Sequence, residues 1–320
     1  MPPAISVARA ADSVLDSPLV DMHPGQLSID EDVVRALVHR QFPRWRDLPV
    51  RAVPSEGTVN ALFHLGSSLV ARFPLVPGDA DDVRRQLEAE AEAGRELLGR
   101  TRFPTPEPIA LGEPGAGYPL PWSVQTWLPG TVATVADPDG SLAFAHDLAE
   151  FIGGVRAIDT RGRSFRGCHR SGRGGHLPDH DDWVRTCLDR SENLLDVPPL
   201  RRLWSELREL PPSGDDVMTH GDLIPGNVLV RDGRLAGVID VGGLGPADRA
   251  LDLVAAWHLL EPGPRQALRT DLQCSDVEWA RGAAWALEQA LGLVWYYAES
   301  NPAMSSMGRR TLGRLTGGQL

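Results

Sequence analysis

Lysine is absent from this sequence of 320 residues, so all 32 of its Lys and Arg positions are arginine. Without lysine the chain cannot form a Schiff base with a carbonyl substrate, and it cannot carry a phosphate-binding loop that ends in Gly-Lys-Ser/Thr. It also lacks the third-strand lysine on which an ordinary protein kinase depends. These three classes of enzyme are excluded.

Cysteine is scarce as well, because Cys168, Cys187 and Cys274 are the only three. An odd number without close spacing indicates neither a disulfide framework nor a thiolate zinc site. Long apolar runs are also missing: the first residues lack the apolar core of a signal peptide, and the apolar stretch 283–297 is interrupted by Glu288. We therefore expect a cytoplasmic protein without a membrane partner.

Acidic residues outnumber basic ones. The sequence has 43 Asp and Glu against 32 Arg, which gives a formal net charge of −11 at pH 7. A nucleic acid is a polyanion, so this balance argues against such a partner and favours neutral or cationic ligands. Hydrophobic residues make up 42% and charged residues 23%, as in ordinary globular proteins. The chain is long enough to bury one or two cores.

The first part of the chain alternates between helical and strand-like patterns. Helical spacing over 29–42 is followed by short strand-like runs over 50–74, which are separated by glycine turns. A charged helix is predicted over 79–100, and a further strand over 120–128 stops at a Pro-Gly pair. This order predicts a small antiparallel sheet with accompanying helices.

Helical periodicity dominates after residue 130, beginning with 142–158 and 183–210. The segment 161–182 between them has almost no apolar residues and is predicted to be a loop. The pair Asp232-Gly233, inside 218–241, is a strong two-residue hairpin signal. Three more helices are predicted over 250–260, 277–297 and 305–315.

These patterns predict an α+β fold with two lobes. We expect an N-terminal extension over 1–21, a sheet-rich lobe over 22–128 and a larger helical lobe over 129–320. A cleft between the lobes would then be the place for a ligand.

One group of polar residues has the layout of a phosphoryl-transfer centre. His220-Gly221-Asp222 is followed by Asn227, and Asp240 comes after the predicted hairpin. Such a centre needs a carboxylate that accepts a hydroxyl proton, and an amide oxygen and a second carboxylate that hold Mg²⁺ against nucleotide phosphates. The hairpin would bring Asn227 and Asp240 together although thirteen positions separate them.

The runs HGDLIPGN and VIDVGGLGPADRALDL resemble the catalytic-loop and metal-loop signatures of the aminoglycoside phosphotransferase family. The resemblance extends through EGTVNALFHLG and LVARFPL and covers most of residues 22–315. It implies a protein-kinase-like fold and transfer of the γ-phosphoryl group of ATP or GTP to a drug hydroxyl. It does not identify the drug.

Position by position, the resemblance implies that Asp222 is the catalytic base or hydroxyl-orienting residue and that Asn227 and Asp240 bind the metal. His220 is expected to pack and hydrogen-bond within the catalytic loop. Two interpretations are open for Asp252: a carboxylate at a helix start, or a buried acceptor for the amides of the catalytic loop.

Arg72 stands in LVARFPL where the family pattern has its strand lysine. Arginine can still pair with the α- and β-phosphates and with a helix carboxylate, although it is planar and bulkier. The candidate carboxylates are Glu88, Glu90 and Glu92, and the register favours Glu90. The alternative is a strand residue that faces solvent.

Two further stretches are expected to touch the nucleotide. The segment 55–60 contains one glycine, Gly57, and would cover the phosphates by position and not by motif, with backbone amides as donors. SVQTWLPG resembles the family's hinge, so backbone groups near Gln125 and Trp127 would meet the purine edge. Trp127 is equally well explained as a core residue.

Acidic residues of the helical half are candidates for contacts with a cationic acceptor. Asp182, in the predicted loop, and Glu288, on a later helix, are the candidates, because a polycationic drug needs a negative surface. For Glu288 the alternative is an ordinary helix-surface charge. The histidines and Cys168 of the same loop have glycines and irregular spacing between them, which argues against a metal site there.

The sequence thus predicts a Mg²⁺-dependent phosphotransferase that modifies a small hydroxyl compound. An antibiotic acceptor, aminoglycoside-like or macrolide, would make the protein a resistance enzyme. The alternatives are a metabolite kinase of the choline-kinase type and a nucleotide-binding protein without catalysis, the latter suggested by Arg72 in place of lysine.

Overall fold

A computed structural model describes residues 26–54, 60–167 and 173–317. In these residues an antiparallel sheet with two helices is followed by a mainly helical part, and each part has its own hydrophobic cluster. The predicted α+β fold with two lobes is therefore confirmed. The exact lobe boundary at residue 128 and the extension over 1–21 stay predictions.

The N-terminal lobe is a five-stranded antiparallel sheet with strand order β1-β2-β3-β5-β4. Its strands are β1 (Val50–Ala52), β2 (Asn60–Leu65), β3 (Leu69–Pro74), β4 (Pro108–Gly112) and β5 (Trp122–Thr126). Its helices are α1 (Glu31–Gln41) and α2 (Ala80–Leu97). Asp30 caps α1 by accepting the N–H of Val33 at 2.9 Å, which explains why the helix begins there. The edge strand β4 was not predicted, because it is short and begins with proline.

Aromatic rings fix the position of β3. Phe73 stacks on Trp122 with ring centroids 4.7 Å apart, and both side chains are fully buried. A Cβ atom at Gly112 would lie 2.1 Å from the Trp122 ring, so only glycine admits this indole. Because side chains alternate along a strand, Arg72 points to the face opposite Phe73.

The C-terminal lobe contains seven helices and five short strands among the described residues. The helices are α3 (Leu142–Arg156), α4 (Asp181–Arg190), α5 (Val197–Leu207), α6 (Val254–Leu259), α7 (Pro262–Asp271), α8 (Asp276–Tyr296) and α9 (Pro302–Thr316). The strands are β6 (Thr131–Val132), β7 (Val217–Thr219), β8 (Val228–Arg231), β9 (Arg234–Val238) and β10 (Gly245–Ala247). Most of α8 is buried, so this helix forms the centre of the lobe.

Two details of this lobe were not predicted. The stretch 183–210, for which helical spacing was predicted, contains two helices, and the second, α5, begins anew with prolines in its first turn. Helix α7 has no counterpart in the prediction, and its first turn contains Pro262 and Pro264. Proline is tolerated in the first turn of a helix, where the N–H groups have no intrahelical partner.

The predicted hairpin is present as β8 and β9, with Val228 opposite Val238. Its turn residues Asp232 and Gly233 have φ values of 53° and 69°, the left-handed pair that a tight hairpin turn requires. Searched over the described residues, the structure has no helix long and apolar enough to cross a membrane.

Candidate active site

A buried carboxylate holds the loop between β7 and β8 that carries Asp222. Asp252 accepts the backbone N–H of His220 at 2.7 Å and that of Gly221 at 2.9 Å, and it is 1% exposed. Gly221 has φ 80°, and a Cβ atom there would lie 2.9 Å from the carbonyl oxygen of Gly243. Of the two interpretations of Asp252, the structure places it as the buried acceptor for catalytic-loop amides.

We expect Asp252→Asn to lower the free energy of unfolding by about 1.5 to 3 kcal/mol, because one charged hydrogen bond is lost and an amide NH₂ meets a backbone N–H. Urea unfolding measures this. The control is Asp47→Asn, at a side chain that is 98% exposed, with a change within about 0.5 kcal/mol. Equal stability of the two variants would argue against the anchoring role of Asp252.

His220 links the catalytic loop to the segment that follows β9. It is fully buried; its Nε2 lies 3.1 Å from the carbonyl oxygen of Ile239, and its Nδ1 is 3.3 Å from the backbone N–H of Asp222. The first contact needs a donor and the second an acceptor, which assigns the neutral tautomer. Burial lowers the pKa of His220, in agreement with a neutral ring. His220 therefore joins the two segments through hydrogen bonds of its neutral ring.

Asn227 holds the carboxylate of Asp222. Its Nδ2 donates to the Asp222 carbonyl oxygen at 2.9 Å and to Asp222 Oδ2 at 3.1 Å. Because the amide nitrogen is used in this way, the amide oxygen is the atom of Asn227 that is left for a cation.

The hairpin returns Asp240 toward Asn227. The backbone N–H of Ile239, next to Asp240, donates to the carbonyl oxygen of Asn227 at 2.9 Å. Asp240 itself has φ 57°, a left-handed conformation that aspartate tolerates better than most residues. About half of its side chain is exposed, so the carboxylate is accessible to a ligand.

Arg72 joins the two lobes at this point. Its Nη1 is 3.5 Å from Glu90 Oε2 on α2, and its Nη2 is 3.4 Å from Asp240 Oδ1. Only 14% of the Arg72 side chain is exposed, so the alternative of a solvent-facing strand residue does not describe it. The ion pair expected between Arg72 and Glu90 is present.

The structure describes some of the residues that are predicted to contact the nucleotide. Gly57 lies outside the described residues. Gln125 pairs with Val70 in the sheet, and the backbone N–H of Trp127 donates to Ser68 at 2.8 Å. The Trp127 ring is half-buried against His64, with ring centroids 4.2 Å apart. Both hinge residues lie at the end of β5, and their contact with a purine stays a prediction.

The two predicted substrate carboxylates are in different surroundings. The Asp182 side chain is 88% exposed in the first turn of α4 and pairs with Arg185. Glu288 is buried, and its Oε1 is 3.3 Å from Nδ1 of His180. Their role as substrate contacts stays a prediction, and Glu288 would need His180 to move before it could meet a ligand directly.

Sequence reasoning missed one residue of the site. Arg173 makes an ion pair with Asp222, through Nη1 and Oδ1. It belongs to the segment that the sequence predicts as a solvated loop, where arginine, glycine and histidine are mixed without a periodic pattern. The only local signal is the pair Gly174-Gly175, which allows an unusual backbone path beside Arg173.

Comparison with known proteins gives a family match. The model of the phosphotransferase enzyme family matches residues 51–285, which is 235 of the 320. A similar relative is the aminoglycoside 3'-phosphotransferase of Streptomyces fradiae, 42% identical over 197 residues, which are 54% of this chain and 65% of the relative. The Escherichia coli enzyme of the same name is 44% identical over 63 residues, 19% of this chain and 23% of the relative. The chain thus spans under two thirds of the length of these relatives.

A solved structure shows the same fold over nearly the whole chain. The GDP complex of wild-type aminoglycoside 2'-phosphotransferase-IIIa aligns with a TM-score of 0.68 and 17% identity, and the alignment covers 90% of this chain and 99% of that one. At this identity the likeness concerns the fold, which is the two-lobed arrangement described above.

Proposed function

This chain belongs to the phosphotransferase enzyme family, and we propose that it transfers the γ-phosphoryl group of ATP or GTP to a hydroxyl group of a small molecule. The observation that carries the proposal is the placement of Asp222, Asn227 and Asp240 at one end of a hairpin, with Arg72 beside them. The acceptor we propose is an antibiotic of the aminoglycoside kind, because relatives that are 42% and 44% identical to parts of this chain are named for that activity.

In the proposed reaction, Asp222 orients the acceptor hydroxyl and takes its proton as the oxygen bonds to the γ-phosphorus. The bond from that phosphorus to the β–γ bridging oxygen breaks, and the nucleoside diphosphate leaves. The Asp222 carboxylate is suited to taking the proton because Asn227 fixes one oxygen and the backbone of its loop is tied to Asp252. Such positioning supplies most of the catalysis in phosphoryl transfer, since the transition state is loose and needs little covalent help. His220 takes no part in the proton transfer because it is buried and neutral.

The donor atoms fit Mg²⁺. An amide oxygen of Asn227 and a carboxylate of Asp240 are the hard oxygen ligands that this ion prefers, and Mg²⁺ usually takes its remaining ligands from waters and substrate phosphates. Within the described ranges, no group of three or more His, Cys, Asp or Glu side chains could hold a metal, so a dedicated protein cage is not what the site offers. When bound, Mg²⁺ would neutralise charge on the β- and γ-phosphate oxygens.

Arg72 is proposed as the phosphate-binding cation. Glu90 holds one of its terminal nitrogens, which orients the planar guanidinium across the cleft toward Asp240. A fork of parallel N–H groups can grip two phosphate oxygens, whereas lysine makes a point contact.

Arg72→Lys is expected to weaken Mg-nucleotide binding by about 1.5 to 3 kcal/mol although it keeps the charge, because one of two charged hydrogen bonds is lost. Glu90→Gln should cost less in the Arg72→Lys background than in the parent, since the two residues share one interaction. Calorimetry on the single and double variants measures both effects.

The matched control is Arg51→Lys, at an exposed arginine of β1 in the same sheet, and it should bind nucleotide like the parent. If Arg72→Ala keeps parental affinity and turnover, phosphate binding in this lobe rests on backbone amides alone.

A screen of acceptors tests the proposed function. The protein is incubated with Mg-ATP or Mg-GTP and with an aminoglycoside, a macrolide or choline, and kcat/KM for product formation is compared. We expect the aminoglycoside to give the highest value. Preference for choline would support the metabolite kinase, and nucleotide binding without any product would support the non-catalytic alternative.

A further inference from the structure

Both oxygens of the Asp222 carboxylate are engaged by side chains of the protein itself. Oδ2 accepts from Asn227, and Oδ1 is in ion contact with Arg173. Oδ1 has almost no surface open to solvent, and about three quarters of the Arg173 side chain is buried. One of the two oxygens that could receive a proton is therefore covered by a guanidinium, and the other accepts from Asn227.

The backbone next to Arg173 has a conformation and packing that hold Arg173 beside Asp222. Gly174 and Gly175 have φ values of 98° and 86°, which favour glycine. Both pack on the ring of Phe165, and a Cβ atom would lie 3.0 Å from it at Gly174 and 2.8 Å at Gly175. The Phe165 backbone N–H in turn donates to Asp216 at 2.8 Å. The contact between Arg173 and Asp222 is therefore supported by a packed segment of backbone and not by the arginine side chain alone.

A buried ion pair anchors the same segment to the core. His180 Nε2 donates to the carbonyl oxygen of Gly174 at 3.0 Å, while its Nδ1 faces Glu288 at 3.3 Å. Burial opposes the charge on His180, but the hydrogen bond and charge of Glu288 outweigh it, so the pKa of His180 is raised. Both ring nitrogens face an acceptor oxygen. The buried carboxylate of Glu288 on α8 thus holds His180, and His180 holds the backbone of Gly174, next to Arg173.

We propose that Arg173 is a positioning residue that makes Asp222 selective for an acceptor hydroxyl over water, by covering Oδ1 until an acceptor displaces it. The inference rests on the proposed role of Asp222 as the base. When a bulky acceptor binds, its own contacts with Asp222 take the place of the contact that Arg173 makes. A water molecule cannot compensate for breaking a largely buried ion pair.

The reaction that Arg173 suppresses is hydrolysis of the nucleotide. In it, a water oxygen forms the new bond to the γ-phosphorus, the bond from that phosphorus to the β–γ bridging oxygen breaks, and one water proton goes to Asp222. The products are inorganic phosphate and the nucleoside diphosphate. With Oδ1 covered by Arg173 and Oδ2 held by Asn227, Asp222 is a poor acceptor for this proton.

The test compares inorganic phosphate release without acceptor and phosphoryl transfer with acceptor, in the parent and in Arg173→Met, which keeps side-chain length without charge. We expect hydrolysis to rise on the order of 10-fold, the equivalent of one lost charged contact, while transfer changes much less. Glu288→Gln should raise the ratio of hydrolysis to transfer in the same direction by a smaller factor. The control Arg166→Ala, at an exposed arginine of the same segment, should leave the ratio unchanged.

Hydrolysis that stays at the parental level, or falls together with transfer, overturns the proposal; a joint fall would mean that Arg173 stabilises the transferring phosphoryl group. The result separates this proposal from the proposed function. If no acceptor is modified by the parent but hydrolysis still rises in Arg173→Met, the covering role stands and the acceptor assignment fails.

Discussion

Replacing Asp222 by asparagine is expected to lower turnover by a factor on the order of 10² to 10⁴, the usual contribution of a positioned acid or base. The substitution removes the proton acceptor but keeps the shape of the side chain and an oxygen that can accept from Asn227. The fold and the affinity for Mg-nucleotide should therefore be kept, at a lower free energy of unfolding because the ion pair with Arg173 is lost. Steady-state kinetics measure the first effect, and thermal unfolding and calorimetry measure the other two.

Asp215→Asn is a suitable control for this substitution, because Asp215 is an exposed aspartate shortly before β7. It should keep full turnover. Parental turnover in Asp222→Asn would remove Asp222 from the mechanism, whereas a variant that is unfolded at the assay temperature would show that the defect lies in folding.

Asp240 is the second position at which a large effect is expected. Asp240→Ala should abolish the stabilisation that nucleotide gives in the presence of Mg²⁺, because the β- and γ-phosphate charges lose their bridging ion. Asp240→Asn should have the same effect with less strain, since asparagine also tolerates the left-handed backbone found here. Calorimetric titration with nucleotide, with and without Mg²⁺, measures the loss.

Asp232→Asn provides a matched comparison for Asp240. Asp232 also has a left-handed backbone, with φ 53°, but it is exposed at the hairpin turn. This variant should keep its Mg²⁺ dependence. Unchanged Mg-nucleotide affinity in Asp240→Asn and Asp240→Ala would show that Asp240 is not a metal ligand.

Much of the site could be predicted because it depends on short-range rules. The turn at Asp232-Gly233 requires two left-handed residues, so the sequence itself fixes the hairpin. Once the hairpin is fixed, Asn227 and Asp240 must meet at its open end. Arg72 is assigned from the resemblance to the family's strand position, and in the structure it lies on the face opposite the buried Phe73.

The missed parts depend on contacts between distant segments. No local pattern links Arg173 to Asp222, or His180 to Glu288, because each pair is joined only when the loop packs on the helical lobe. For Glu288 the sequence therefore predicts a substrate contact or a helix-surface charge, although the residue is buried on α8. For Asp252 two interpretations stayed open for the same reason. The backbone amides that donate to it lie about thirty positions before it in the sequence.

The most direct test of the account is phosphorus NMR of an aminoglycoside incubated with Mg-nucleotide and the protein. The account predicts a new phosphomonoester resonance that couples to a sugar proton on a carbon bearing a hydroxyl in the substrate, formed by the parent and slowed by a factor on the order of 10² to 10⁴ in Asp222→Asn. A phosphoramidate on an amine, a product formed equally fast by Asp222→Asn, or nucleotide binding without any phosphorylated acceptor would contradict it.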